Sequence, residues 1–318
     1  MNTSIWQPLN HDTILSAVEA TLNEKLSNLI LTRNSYINRV YELEKFDSRE
    51  RIIVKFYRPG RWTPDMILEE HNFLKELSVH EIPVIPPIVN EGKTLFSFGE
   101  IPLAIFPKKG GRAIDEFDKD EWEQIGRLLG RLHLIGEKHK TSKRVTWRPG
   151  VATKNHLEVL LKSGFLLPDF EKSFMISYDA FIKKADPLFE NIDYLLLHGD
   201  CHKGNLIHRP GEGIFIVDFD DLCFGPAVQD LWMLLPDTPE KCENELSWFY
   251  KGYETFKSFD RSSLMLVPYL RGMRIIHFAA WLAVQSLEPD FKTHFPEAGT
   301  SRYWNQLVKE LNEINFDK

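Results

Sequence analysis

The sequence predicts an α+β protein built as two lobes, a small antiparallel-sheet lobe over residues 1–106 and a larger helical lobe over residues 107–318. Three observations carry this expectation. The chain has 318 residues, 43% of them hydrophobic, which is enough for two lobes sharing a cleft. Its first hundred residues hold three short β-branched runs separated by turn-like or charged segments, with a helical stretch before them and another after. Beyond Asp118 the apolar spacing becomes helical over most of the chain.

Taken in order, Ile14, Leu15, Val18 and Leu22 mark a helix over residues 11–22. Residues 29–32, 39–44 and 51–57 read as successive hairpin strands. In the third, Ile52, Val54 and Phe56 share one face and Ile53, Lys55 and Tyr57 the other, so Lys55 stands among bulky neighbours. Thr63 and Pro64 are an N-cap and a first helical residue, with Asp65 in the first turn. That helix runs to about Ser78, with Ile67, Phe73, Leu74 and Leu77 on its apolar face and Glu69 and Glu70 elsewhere on the wheel. Three prolines between 83 and 87 make a connector, because proline lacks a donor and restrains its predecessor. Residues 94–98 and 102–106 close the sheet, and the run from Pro107 to Arg112 is the hinge between lobes. Its Gly110-Gly111 pair is not a P-loop, since the following Lys-Ser/Thr is missing.

The second lobe opens with an amphipathic helix over residues 118–139, on which His133 reads as a core histidine. Further helices are expected at 155–162, 170–184, 227–234, 243–256, 262–287 and 301–312. Trp232, Trp281 and Trp304 fall on them and read as helix packing.

Composition excludes several classes. A net charge of -7 argues against a broad nucleic-acid footprint, leaving only the local basic patch of Lys108, Lys109 and Arg112. Cys201, Cys223 and Cys242 are odd in number and widely spaced, so neither a disulfide framework nor a zinc ribbon is expected and a reducing cytoplasm fits. The N-terminus lacks the pattern of a signal peptide and no apolar run could span a bilayer, so no membrane anchor is expected.

The chemistry concentrates in His198-Gly199-Asp200-Cys201-His202-Lys203-Gly204-Asn205 and in Asp218, which follows the apolar run from Ile214 to Val217. Moving a phosphoryl group requires a carboxylate to orient the acceptor hydroxyl and oxygen ligands to hold a divalent metal on the phosphates. Asp200, Asn205 and Asp218 supply these groups, with Gly199 and Gly204 permitting the tight loop that aims two of them at one cleft. Residues 213–219 read as a buried strand delivering Asp218 at its end. Asp230 is placed to brace the loop and His198 to shape it, while Asp220 and Asp221 are open to a second metal, a substrate group or neither.

The loop H-G-D-x-H-x-G-N, then I-V-D-F-D-D and G-P-A-V-Q-D-L-W, together with N-S-Y-x-N-R-V-Y, V-K-F-Y-R-P and I-L-E-E-H earlier on, resembles the aminoglycoside phosphotransferase and choline kinase-like branch of the protein kinase superfamily over nearly the whole chain. The resemblance implies a bilobal protein kinase-like fold using Mg²⁺ and ATP. It implies Asp200 as catalytic base, Asp218 and Asn205 as magnesium ligands, and Lys55 on the phosphates. It implies Glu70 as the partner of Lys55, with Glu69 as the fallback, and the backbone near Phe106 at the adenine edge. The turn from Asn34 to Asn38 departs from the common pattern in carrying no glycine, so phosphate contacts are expected from Ser35, through its hydroxyl or nearby amides. Similarity to the stress-response kinases of the branch implies that the acceptor is a protein serine or threonine, its own chain included, and a monomer is expected. The wider branch implies instead a small alcohol, and a nucleotide-binding scaffold without turnover is the third reading.

Overall fold

The computed structural model describes residues 5–140 and 142–316. In the first lobe α1 (His11–Leu22) precedes β1 (Leu26–Arg33), β2 (Arg39–Lys45) and β3 (Arg51–Phe56), followed by α2 (Pro64–Val79), β4 (Phe96–Phe98) and β5 (Ile101–Pro107). The five strands form one antiparallel sheet in the order β1-β2-β3-β5-β4. Helix α1 starts at a capping box between Asn10 and Thr13 and buries Ile14, Val18 and Leu22 against Ile52, Val54 and Phe56 of β3. With that face of β3 in the core, strand alternation turns Ile53 and Lys55 toward the cleft between the lobes. Helix α2 begins where expected, the Thr63 hydroxyl accepting from the Met66 amide and Pro64 in its first turn.

The second lobe comprises β6 (Arg112–Ala113), α3 (Lys119–Gly136), α4 (Lys154–Ser163), α5 (Pro168–Ala185), β7 (Leu195–Leu197), β8 (Leu206–Arg209), β9 (Gly213–Ile216), β10 (Cys223–Gly225), α6 (Gln229–Trp232), α7 (Glu243–Tyr253), α8 (Val267–Gln285), α9 (Phe291–His294) and α10 (Ser301–Phe316). Four of the expected helices, α3, α6, α7 and α8, are shorter than their patterns. Pro226 and Pro236 fence α6, and α8 starts at Val267 because Pro268 takes its first turn after a 3-10 segment. The strand expected to reach Asp218 stops at Ile216.

Two small ribbons set the site. Strand β7 pairs with β10, and β8 pairs with β9 and β6. The chain crosses from one ribbon to the other twice, through residues 198–205 and 217–222, so pairing alone lays these two loops side by side.

Helices α3 and α7 approach closely through Gly126, Gly130 and Gly252, where an added Cβ would collide with the facing backbone of Phe249, Tyr253 and Glu123. Gly126→Ala adds helix propensity worth about 1 kcal/mol, but the collision falls on backbone, where overpacking reaches the upper end of its usual range, about 3 kcal/mol. A net loss of about 2 kcal/mol is expected, read as a lower urea midpoint.

Polar clasps join the lobes besides the hinge. Arg58 donates to Gln285 at 3.1 Å and to Glu288 at 2.6 Å. Arg61 donates to Asp221 at 2.6 Å and also pairs with Asp220, which accepts from the Asn38 amide at 3.2 Å.

Candidate active site

The loop after β7 is held by buried groups that are themselves satisfied. Asp230, fully buried, accepts from the backbone amides of His198 (2.9 Å) and Gly199 (2.8 Å) and pairs with His133 at 3.1 Å, whose other ring nitrogen meets the Tyr253 hydroxyl. Gln229 donates to the Gly199 carbonyl at 2.8 Å. Gly199 has φ +86°, and a Cβ there would strike the Asp221 carbonyl, so only glycine closes this turn. His198 bonds the Val217 carbonyl at 2.9 Å and accepts from the Asp200 amide, which leaves neither ring nitrogen for a metal. His133 and Asp230 thus play the core and bracing parts that their positions indicated.

Asp200 emerges from this frame with its carboxylate between Arg274 (2.6 Å) and His202 (3.3 Å). Burial works to raise its pKa, but the hydrogen bond to His202 and the charge of Arg274 hold it well below the usual carboxylate range. The two cations therefore favour its ionised form. Asn205 spends its Nδ2 on the Asp200 carbonyl at 3.0 Å, which leaves Oδ1 as an acceptor, and its own carbonyl accepts from the Val217 amide. Cys201 is buried, and burial drives its thiol far above its ordinary pKa, so it is inert there.

Asp218 lies two residues beyond β9 in the left-handed region (φ 62°, ψ 68°), a conformation that a non-glycine residue adopts at some cost. Its side chain is 57% exposed and meets Lys55 at 3.1 Å. Asn205 Oδ1 and the Asp218 carboxylate are hard oxygen donors on adjacent loops, a set that fits Mg²⁺, which takes few protein ligands and completes its shell with phosphates and water.

The expected Lys55–Glu70 pair is corrected. Lys55 pairs with Asp218 and, at 3.2 Å, with Asp220; burial opposes its charge, and these two carboxylates outweigh burial and keep its pKa well above the ordinary value. Glu70 is buried nearby, but its ion-pair partner is Arg144 at 3.7 Å. Glu69, the fallback, instead accepts from the Lys143 amide near the surface. The reason is a charge count. Three cations, Lys55, Arg61 and Arg144, face four carboxylates, Glu70, Asp218, Asp220 and Asp221, and for Glu70 burial first, then Asp220, pushes the pKa up to about 7. A folded-state pKa above the unfolded 4.5 contributes stability that is present below about pH 4.5 and is lost as pH rises through 7. Glu70→Gln cannot ionise, so its melting temperature relative to wild type is expected to rise between pH 5 and pH 8 in nucleotide-free thermal melts.

Lys55, Glu70, Asp218, Ser35 and Phe106 all line one cleft of about 350 Å³ beneath the sheet, within the roughly 300–1,000 Å³ range of small-molecule sites. Asp200 faces a second pocket of about 240 Å³, walled by Trp62, Trp147, Phe278 and Trp281. Asn205 lies on the same loop as Asp200, and its side chain donates to the Asp200 carbonyl.

Three site residues carried no sequence signal. Arg144, fully buried, donates to the carbonyls of Phe219, Asp220 and Leu222, holding the segment that carries the acids, while Trp62 lies over its guanidinium at 4.4 Å. Arg61 and Arg274 reach the acids from 159 and 74 residues away. In the sequence all three are ordinary surface-type arginines.

With this geometry in hand, the comparisons agree with one another. Residues 30–266 match the model of the phosphotransferase enzyme family. The chain is 37% identical over 317 residues to stress response kinase A of Escherichia coli K12, covering 96% of this chain and 92% of that protein. It is 36% identical over 323 residues to a Salmonella typhimurium protein named serine/threonine protein kinase RdoA, covering 98% and 94%. Among solved structures, amicoumacin kinase hAmiN, in complex with AMP-PNP, Ca²⁺ and Ami, superposes with a TM-score of 0.77 at 20% identity over 99% of this chain and 96% of that one. The choline kinase LicA of Streptococcus pneumoniae superposes with a TM-score of 0.64 at 13% identity over 95% and 99%.

Proposed function

The chain belongs to the phosphotransferase enzyme family and is an ATP-dependent kinase, and from that premise we propose that it uses Mg²⁺ and transfers phosphate to serine or threonine hydroxyls of protein, its own chain included. The lobes divide at the hinge near residue 107, with ATP in the larger cleft and the acceptor in the pocket beside Asp200. Asp200 accepts a hydrogen bond from the acceptor hydroxyl and aims its oxygen at the γ-phosphate. Lys55, released from Asp218, meets the phosphates; Ser35 covers them, and the backbone beside Phe106 takes the adenine edge. Bound between Asn205 and Asp218, Mg²⁺ would neutralise charge on the phosphate oxygens. Glu70 supports Lys55 through the shared charge cluster rather than by a direct bond.

One observation carries the acceptor assignment. The carboxylates lining the acceptor pocket are already matched by arginines, Asp200 by Arg274 and Asp221 by Arg61, both at 2.6 Å. Asp220 and Asp230, the other acids that could have received a cation, are buried and spent on Lys55, Arg61 and the loop amides. An ammonium-bearing alcohol would have to break one of these pairs, which selects against it. A small uncharged alcohol is the second reading, supported by the small volume of the pocket, about 240 Å³.

No helix among the described residues is long and apolar enough to cross a membrane. The three cysteines are free and buried, and we place the enzyme in the reducing cytoplasm as a monomer.

The test is incubation of the purified chain with γ-labelled ATP, alone, with a generic protein, and with a panel of amino alcohols. Label entering protein with Mg²⁺ and none with EDTA is expected. Label confined to an amino alcohol would refute the acceptor assignment, and equal labelling in EDTA would remove the metal roles of Asn205 and Asp218.

A further inference from the structure

The turn between β1 and β2 stands between the two pockets. Asn34 and Ser35 line the nucleotide cleft, and Ile37 lines the acceptor pocket. Tyr36, between them, directs its ring into the second lobe, where its centroid lies 5.6 Å from Trp281, 5.2 Å from His294 and 5.0 Å from Phe295. The last two contacts are edge-on, the favoured geometry for aromatic pairs. Phe295 meets Trp281 at 5.4 Å, and Trp281 stacks on Phe278 at 5.5 Å with planes 10° apart. Phe278 and Trp281, one helical turn apart from Arg274 and His277 on α8, form part of the acceptor-pocket wall. The Tyr36 hydroxyl is buried and has no hydrogen-bond partner among the described residues, so the ring makes the contact and the hydroxyl contributes nothing to it.

We propose that Tyr36 is a positioning residue that ties the phosphate-covering turn to the acceptor-pocket wall, so that nucleotide and acceptor act on each other through the Tyr36–Trp281 contact. The proposal rests on the assignment of the two pockets made above. It accounts for the missing glycines. A glycine-rich loop reaches phosphates with bare, adaptable backbone, whereas this turn is held from the opposite lobe by a side chain. Trp281 does not line the nucleotide cleft, so any influence it has on nucleotide must pass through the turn. By linkage, whatever factor the acceptor exerts on nucleotide affinity, nucleotide exerts on the acceptor.

The experiment is calorimetric titration of the full chain with Mg²⁺ and a non-hydrolysable ATP analogue, each variant first melted without nucleotide. Tyr36→Phe should bind as wild type. Tyr36→Ala and Trp281→Ala should each weaken binding by about tenfold, within the 5- to 150-fold span of typical coupling. The double variant should be no weaker than Tyr36→Ala, because both changes break one contact. Tyr36 is half-buried in a turn and belongs to neither large core, so its variants should fold; if Trp281→Ala melts early, Trp281→Leu and Phe295→Leu replace it. Unchanged nucleotide affinity in a folded Trp281 variant, or independent losses that multiply in the double variant, would overturn the proposal. A wild-type chain that binds no analogue would overturn the pocket assignment itself.

Discussion

Asp200→Asn is expected to lower phosphoryl transfer by about two to four orders of magnitude, the range for losing a general base, while nucleotide affinity stays near wild type. Asparagine keeps the shape, and its carbonyl oxygen can still accept from Arg274, so the loop should not collapse; the backbone is held independently by Asp230 and Gln229. What disappears is the negative charge that orients the acceptor hydroxyl and receives its proton. Asp200 does not line the nucleotide cleft, which is why binding should survive. Arg274 and His202 hold the wild-type carboxylate ionised, so ionisation of this residue should not appear as a limb of the rate profile near neutral pH. Single-turnover transfer alongside titration with a non-hydrolysable analogue measures both quantities. Transfer at the wild-type rate would sink the assignment of Asp200.

Asp218→Asn should behave differently, losing Mg²⁺-dependent nucleotide affinity and transfer together. Changes one shell out from a metal cost roughly 10- to 100-fold in metal affinity, and loss of a direct carboxylate ligand should cost no less. Lys55 would keep Asp220 as its partner, so the fold around it should hold. Asparagine also tolerates the left-handed backbone that position 218 requires, which makes it a cleaner test than alanine. The informative comparison is titration of the nucleotide analogue with Mg²⁺ and with EDTA. Wild type should show a large difference and Asp218→Asn a small one; an undiminished Mg²⁺ effect would take the metal away from Asp218.

Much of this could be read from the chain because it is governed by neighbours within four residues. Helix α1 and the start of α2 fall where spacing and caps put them, since a cap is a bond from residue i to i+3. The alternation along β3 sets Lys55 on the face opposite Ile52, Val54 and Phe56, and packing of the first lobe makes the latter the core face. Asp200 and Asn205 share one short loop, so their common destination was a local matter. The partners were not. Lys55 and Asp218 are 163 residues apart, Arg274 and Asp200 are 74 apart, and Tyr36 reaches Trp281 across the lobes. Periodicity says which face a side chain takes but not which of several carboxylates a cation will find, because ion pairing falls off with distance and burial and both are set by packing of the lobes. For that reason the family resemblance pointed to Glu70 for Lys55, while the tertiary structure brought Asp218 and Asp220 closer and left Glu70 to Arg144. The same holds for the acids around Asp200: the chain alone left Asp220 and Asp221 open to a metal, a substrate group or neither, and only the folded structure pairs Asp221 with Arg61 and Asp200 with Arg274.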